Sequence, residues 1–230
     1  MVVIIGHFMK RPILLLISII VVMVIPLQAD KVFKMVAIGD SLTAGTPFAQ
    51  SPLETPPNGG GDEEGQYTYW MMRRRPTWEV LNYGIAGQTT AQIRARFPEA
   101  LKQNPRCIII VAGTNDIYQN LPVKRALENL VWMYKQAKGK SILPVAATLP
   151  PFNNMTQEQF LALQELNENI KYLAEQLRMP IADLYMAPHD PNHPDRLNGT
   201  SDEVHPDIGG YRQMGLEFIK VLDPIEKAWR

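Results

Sequence analysis

The residues of this chain whose neighbours could make them reactive are a serine, an asparagine, and a histidine close to an aspartate. Ser41 stands in Gly39-Asp40-Ser41-Leu42, directly after an apolar run that ends at Ile38. Gly39 permits a tight turn, and Ser41 would open the next helical turn with free backbone N–H groups beside its hydroxyl. That is a setting for a nucleophile, and equally one for a helix N-cap. Asn115, in Gly113-Thr114-Asn115-Asp116, also follows an apolar run. Its side-chain amide could face a developing oxyanion or could cap the following helix. Between them lies Asn82-Tyr83-Gly84-Ile85-Ala86-Gly87, where glycines let a backbone N–H approach a ligand closely. Asp202 and His205 are three apart and precede Pro206. A general base needs an imidazole, and a carboxylate fixes its tautomer and stabilises its charged form. Taken alone the pair could also be half a metal site, but no second cluster with ligand spacing accompanies it.

Other candidates read differently. His189 and His193 are four apart, yet Pro188, Pro191 and Pro194 forbid the helix that would put both on one face. They read as a loop near the mouth of a cleft. Cys107 is the single cysteine, which excludes a disulfide framework and a four-cysteine metal site. It opens an apolar run and reads as a small buried residue. We therefore expect no metal and no cofactor. Lys and Arg total 23 against 23 Asp and Glu, a formal net charge of zero. Nucleic-acid binding through bulk positive charge is excluded on that ground.

Residues so far apart meet only if strands carry them to a common edge. The runs Lys34–Ile38, Trp78–Asn82, Cys107–Ala112, Ser141–Leu149 and Ile181–Tyr185 are continuous and apolar, as buried parallel strands are. Amphipathic helical patterns separate them at 90–103, 123–138 and 157–178, with a last one at 208–222; Pro98 is expected to kink or split the first. Alternating strands and helices predict a three-layer α/β/α sandwich around a five-stranded parallel sheet in flavodoxin-like order. Ligands bind beyond the carboxyl ends of such strands, where Ser41, Gly87 and Asn115 all fall. The chain of 230 residues, 46% hydrophobic and 20% charged, is long enough to bury the core this requires. One stretch breaks the pattern: residues 46–65 hold four prolines and four glycines and no apolar period, which reads as a long flexible insertion.

Residues 1–29 are read separately from a domain spanning 30–230. Lys10 and Arg11 precede an apolar run from Ile13 to Ile25, followed by Pro26-Leu27-Gln28-Ala29. This is the pattern of a secretory signal peptide, or of an N-terminal anchor if it is not removed. The expected location is secreted or periplasmic, with membrane association only through an uncleaved N-terminus.

Together the four blocks around Ser41, Gly87, Asn115 and His205 resemble the SGNH (GDSL) hydrolases, over about Lys34 to Leu222 and in family order. The resemblance implies a serine esterase of EC class 3.1.1. It makes Ser41 the nucleophile, His205 the base and Asp202 the residue orienting it. The oxyanion donors it implies are the Ser41 and Gly87 N–H groups and the Asn115 side chain, while Asp40 and Asp116 hold their loops through hydrogen bonds. The substrates implied are small-molecule or lipid esters of short to medium acyl chains, with lysophospholipase and thioesterase variants. Deacetylation of polysaccharide is the alternative within the class. A secreted binding domain that has lost catalysis is the alternative outside it.

Overall fold

A computed structural model describes residues 32–229, and the basic and apolar N-terminal segment lies outside the described residues. β1 (Phe33–Gly39) runs straight into α1 (Ser41–Ala44). Next come two short strands, β2 (Ala49–Gln50) and β3 (Gly60–Gly61), and a single 3-10 turn over Glu63–Gly65. The chain continues through α2 (Tyr67–Arg74), β4 (Trp78–Gly84), α3 (Thr90–Lys102) and β5 (Cys107–Val111). Then follow α4 (Thr114–Tyr118), α5 (Val123–Gly139), β6 (Leu143–Ala147) and α6 (Gln157–Gln176). β7 (Ile181–Ala182), the ribbon strands β8 (His189–Asp190) and β9 (His193–Leu197), and α7 (Ile208–Trp229) complete it.

The main sheet has the order β4-β1-β5-β6-β7, with every neighbour parallel. This is the expected flavodoxin-like order, the second strand in sequence lying outside the first. β5 is buried at all five positions, and Met35 to Ile38 of β1 are fully buried. A strand covered on both faces has no polar side to show, hence the unbroken Ile108-Ile109-Ile110-Val111. α2 packs on α7, while α3 packs on α5 and α5 on α6, and these two groups cover the sheet on its two sides.

Three local features go beyond the sequence reading. Pro98 lies inside α3 without ending it. The missing N–H costs one intrahelical bond, but Ile93, Phe97, Ala100 and Leu101 bury a continuous face that holds the helix together. Residues 46–65, read as a long flexible insertion, contain the β2–β3 ribbon and the 3-10 turn, and Ser51 and Glu54 bond to the end of β4 and the turn after it. α2 has no counterpart in the sequence reading, because only Tyr67, Thr68 and Met71 of its eight residues are buried.

Candidate active site

The pairing register brings three strand ends level. Gly39 at the end of β1 lies opposite Gly84 of β4 and Val111 of β5. The segments leaving these ends carry Ser41, Gly87 and Asn115 side by side. All three line one cavity of about 230 Å³, with His205 entering from the C-terminal segment.

Ser41 opens α1, and the residue before it organises the turn. Asp40 Oδ1 accepts from the Leu42 N–H at 3.0 Å, while the Asp40 carbonyl accepts from Thr43 and Ala44. These bonds use the N–H groups that follow Ser41. Among the described residues the Ser41 N–H has no protein acceptor. Ser41 is thus the first helical residue and Asp40 the N-cap, which separates the two readings of this motif. α1 can sit this close to β4 only because Gly84 lacks a side chain: a Cβ there would lie 2.1 Å from the Ala44 nitrogen.

Around Gly84 and in the turn beyond it, several backbone polar groups are held. The Gly84 N–H donates to Asn82 Oδ1, Ile85 N–H to the Gly39 carbonyl at 3.1 Å, and Ala86 N–H to Glu54 Oε1 at 2.7 Å. The Gly84 carbonyl accepts from Ser51 Oγ at 2.6 Å, and the Gln88 carbonyl from Asn115 Nδ2 at 3.1 Å. Gly87, at φ +75°, is in the left-handed region that glycine adopts most readily, and its N–H has no protein acceptor among the described residues. Asn115 has a second amide hydrogen beyond the one given to Gln88. The Ser41 and Gly87 N–H groups are thus donors that the described residues do not use, and the Asn115 amide, which also acts on the Asp40 carboxyl, lines the same cavity.

His205 meets Asp202 through Nδ1 to Oδ2 at 2.6 Å. Asp202 Oδ1 accepts from the backbone N–H groups of His205 at 2.8 Å and Val204 at 3.0 Å. Partial burial pushes the Asp202 carboxyl up, but the His205 and Val204 N–H groups and the imidazole together hold it below the usual carboxylate range. A charged Asp202 puts the ring proton on Nδ1 and leaves Nε2 free to accept one.

Buried charges support the floor of the site. Burial pushes the Asp40 carboxyl up to about 7, with the Leu42 N–H pulling it back and the Asp116 charge adding to the rise. Asp116 accepts from Thr90 through both N–H and Oγ1, tying the β5 end to α3. Both aspartates thus hold loops, as the family pattern implied. Arg96 on α3 donates to the Gly39 and Tyr83 carbonyls, each at 2.7 Å, and to Gln88 Oε1 at 2.6 Å. Burial lowers the Arg96 guanidinium to about 10 while the charges of Asp40 and Glu54 hold it up, so it stays cationic at neutral pH.

Thr46, Ala86 and Thr114, all in segments singled out in the sequence, also line the cavity; two further lining residues were not read there. Tyr118, half exposed on α4 three residues after Asn115, and Val204 beside His205 border the cavity. Their positions next to Asn115 and His205 were the available signal. Arg96, Ser51 and Glu54 carried none, since their roles arise from contacts distant in sequence. His189 and His193 lie on the β8–β9 ribbon, where His193 Nδ1 meets Asp190 Oδ2 at 3.1 Å, and neither lines this cavity. Cys107 is buried, which pushes its thiol up to about 12, outside the range of a reactive thiolate.

A parallel α/β sandwich with hydroxyl, imidazole and free N–H donors at its carboxyl edge defines a hydrolase architecture. The model of the GDSL-like lipase/acylhydrolase family matches residues 37–213, and the chain belongs to that family. Among solved structures, a G-D-S-L family lipolytic protein from Desulfitobacterium hafniense is 26% identical with a TM-score of 0.69, over 83% of this chain and 99% of that one. The acetylxylan esterase Axe2 from Geobacillus stearothermophilus shares the fold, with a TM-score of 0.66 at 19% identity over 84% of this chain and 94% of its own. An arylesterase from Vibrio mimicus is 30% identical over 51% of this chain and 56% of its own. The lipoprotein YqeF of Bacillus subtilis is 36% identical over 34% of this chain and 35% of its own. The chain thus spans about a third to a little over half of the curated relatives it matches.

Proposed function

We propose that the chain is a serine esterase acting on carboxylic esters of short to medium acyl chains. The observation that carries this is the gathering of Ser41, Gly87, Asn115 and His205 around one cavity, with Asp202 bound to His205. His205 Nε2 takes the Ser41 proton as Oγ attacks the ester carbonyl. The tetrahedral oxyanion is met by the Ser41 and Gly87 N–H groups and the Asn115 amide. His205 then gives its proton to the leaving alkoxide, which departs as the alcohol. Water repeats the sequence on the acyl-Ser41 ester and releases the acid. Asp202 keeps the imidazole in the working tautomer and stabilises its charged form.

A serine-directed organophosphate followed by intact mass tests the nucleophile. We expect one covalent adduct, abolished in Ser41→Ala; no adduct on the native chain would favour a binding domain instead. One feature favours a second substrate within the class. Tyr118 presents a half-exposed ring at the cavity rim, a face on which a sugar could stack. Comparing p-nitrophenyl esters from C2 to C12 with acetylated xylan separates the readings. Turnover beyond C2 supports the simple esterase, whereas C2-only activity with xylan deacetylation supports a carbohydrate acetylesterase.

Export is part of the proposal, supported by the basic-then-apolar segment at residues 10–25 and by the lipoprotein among the relatives. Among the described residues no helix is long and apolar enough to cross a membrane. Fractionating cells that express the full chain, with N-terminal sequencing of the product, tests both export and the fate of residues 1–29.

A further inference from the structure

We infer that Ser51 and Glu54, in the segment between α1 and α2, are positioning residues for the oxyanion hole, because they clamp the loop that presents the Gly87 N–H. The inference rests on the esterase reading above and assigns the 46–65 segment a part in it.

Ala86 and Gly87 are exposed, and a solvated glycine-containing turn has several backbone orientations open to it. An oxyanion donor has to point at one place before the reaction begins. The loop is held before Gly87 by Ile85 N–H to the Gly39 carbonyl and Arg96 to the Tyr83 carbonyl, and after it by Arg96 and Asn115 on Gln88. From the insertion come Ser51 and Glu54. Ser51, fully buried, donates Oγ–H to the Gly84 carbonyl at 2.6 Å. Glu54 accepts the Ala86 N–H on Oε1 at 2.7 Å and the Ser51 N–H on Oε2 at 2.9 Å. One carboxylate thus ties the insertion to itself and to the Ile85–Ala86 peptide, the one preceding the peptide that carries the Gly87 N–H. With the Ala86 N–H engaged, rotation of the Ile85–Ala86 peptide is restrained, which narrows the orientations open to the adjoining Ala86–Gly87 peptide at the cavity. The Glu54 charge acts on the Arg96 guanidinium, which itself holds this loop at the Tyr83 carbonyl and Gln88 Oε1.

Glu54 touches no reacting atom, so its removal should leave ground-state binding intact and weaken a contact that matters most in the transition state. For Glu54→Ala we expect kcat on the best p-nitrophenyl ester to fall by about 10- to 100-fold with KM within about twofold. Glu54→Gln keeps an oxygen for the Ala86 N–H while its NH₂ group faces the Ser51 N–H, and should recover part of the lost kcat. Thermal unfolding of each variant accompanies the kinetics. A Glu54→Ala kcat within about threefold of native overturns the clamp, as does a loss confined to KM, or one that Glu54→Gln leaves unrestored. If Glu54→Ala does not fold, Ser51→Ala, which removes the bond to the Gly84 carbonyl, is read by the same kcat criterion. Ser41→Ala separates the two layers: an active native chain with a silent Ser41→Ala and an indifferent Glu54→Ala sinks only the clamp. Activity surviving in Ser41→Ala sinks the esterase reading and the clamp with it.

Discussion

Asn115 is the residue whose two amide hydrogens have separate employments. One is spent on the Gln88 carbonyl at 3.1 Å, which orients the side chain beside the cavity it lines; the amide also acts on the Asp40 carboxyl, which it lowers. Asn115→Ala removes both. Loss of a single oxyanion donor costs on the order of 10²–10³ in turnover, about 3–4 kcal/mol of transition-state stabilisation. The lost hydrogen bond to Gln88 is partly solvated and costs folding only about 1 kcal/mol. We therefore expect kcat to collapse while Tm moves by a few degrees, measured by steady-state kinetics beside thermal unfolding. A kcat loss below about threefold would remove Asn115 from the hole. Asp202→Asn probes the opposite wall. The amide oxygen can still accept the Val204 and His205 N–H bonds, but its NH₂ group now faces Nδ1 and favours the wrong ring tautomer. Turnover should fall by up to about 10⁴-fold with the fold retained. An Asp202→Asn chain as active as native would show that the imidazole needs no partner here.

At the scale of elements, the site depends on how closely α1 lies against the end of β4. Gly84→Ala would put a methyl 2.1 Å from the Ala44 nitrogen and 2.6 Å from the Thr43 carbonyl carbon, both backbone atoms that cannot turn aside. Either α1 lifts, carrying Ser41 with it, or β4 frays. We expect a stability loss of several kcal/mol, in the range of overpacked cores, together with loss of activity. Chemical denaturation of the variant checks this, and a Gly84→Ala chain of native stability would mean that α1 and β4 can part at no cost. The same elements explain what could be read in advance. Buried parallel strands announce themselves as runs such as Cys107–Val111, and a parallel sheet directs its ligands to one edge, so Ser41, Gly87 and Asn115 were legible as neighbours. α2 was not, because a short helix with three buried residues has too little apolar face to show a period. Ser51, Glu54 and Arg96 were not, because a polar side chain reaching a distant carbonyl or N–H leaves no trace in local spacing. Tyr118 reads as an ordinary surface aromatic until α4 is seen to start at the cavity.

For the molecule as a whole, the formal charge of zero conceals an uneven interior. Asp40 is fully buried, and its Oδ2 has no hydrogen-bond partner among the described residues. The carboxyl titrates near 3.8 in a solvated chain and at about 7 in the folded one. A raised acid binds its proton more tightly when folded. Below about pH 4 it is protonated in both states and costs nothing. As pH rises from there toward 7, the unfolded chain ionises freely while the folded one resists, so stability is lost across that window. The Arg96 charge reduces this cost without cancelling it, since desolvation is the largest cause of the shift. Asp40→Asn keeps an oxygen for the Leu42 N–H and has nothing to titrate. Asp202, whose depressed carboxyl acts in the opposite direction at lower pH, is common to both chains and drops out of their difference. The Tm of Asp40→Asn minus that of the native chain should therefore grow steadily between pH 4 and pH 7 and level off above, followed by calorimetry at fixed ionic strength. A difference that stays flat or shrinks with pH would show that Asp40 is ionised in the folded molecule at acid pH, and that the floor beneath Ser41 is better solvated or better paired than its burial implies.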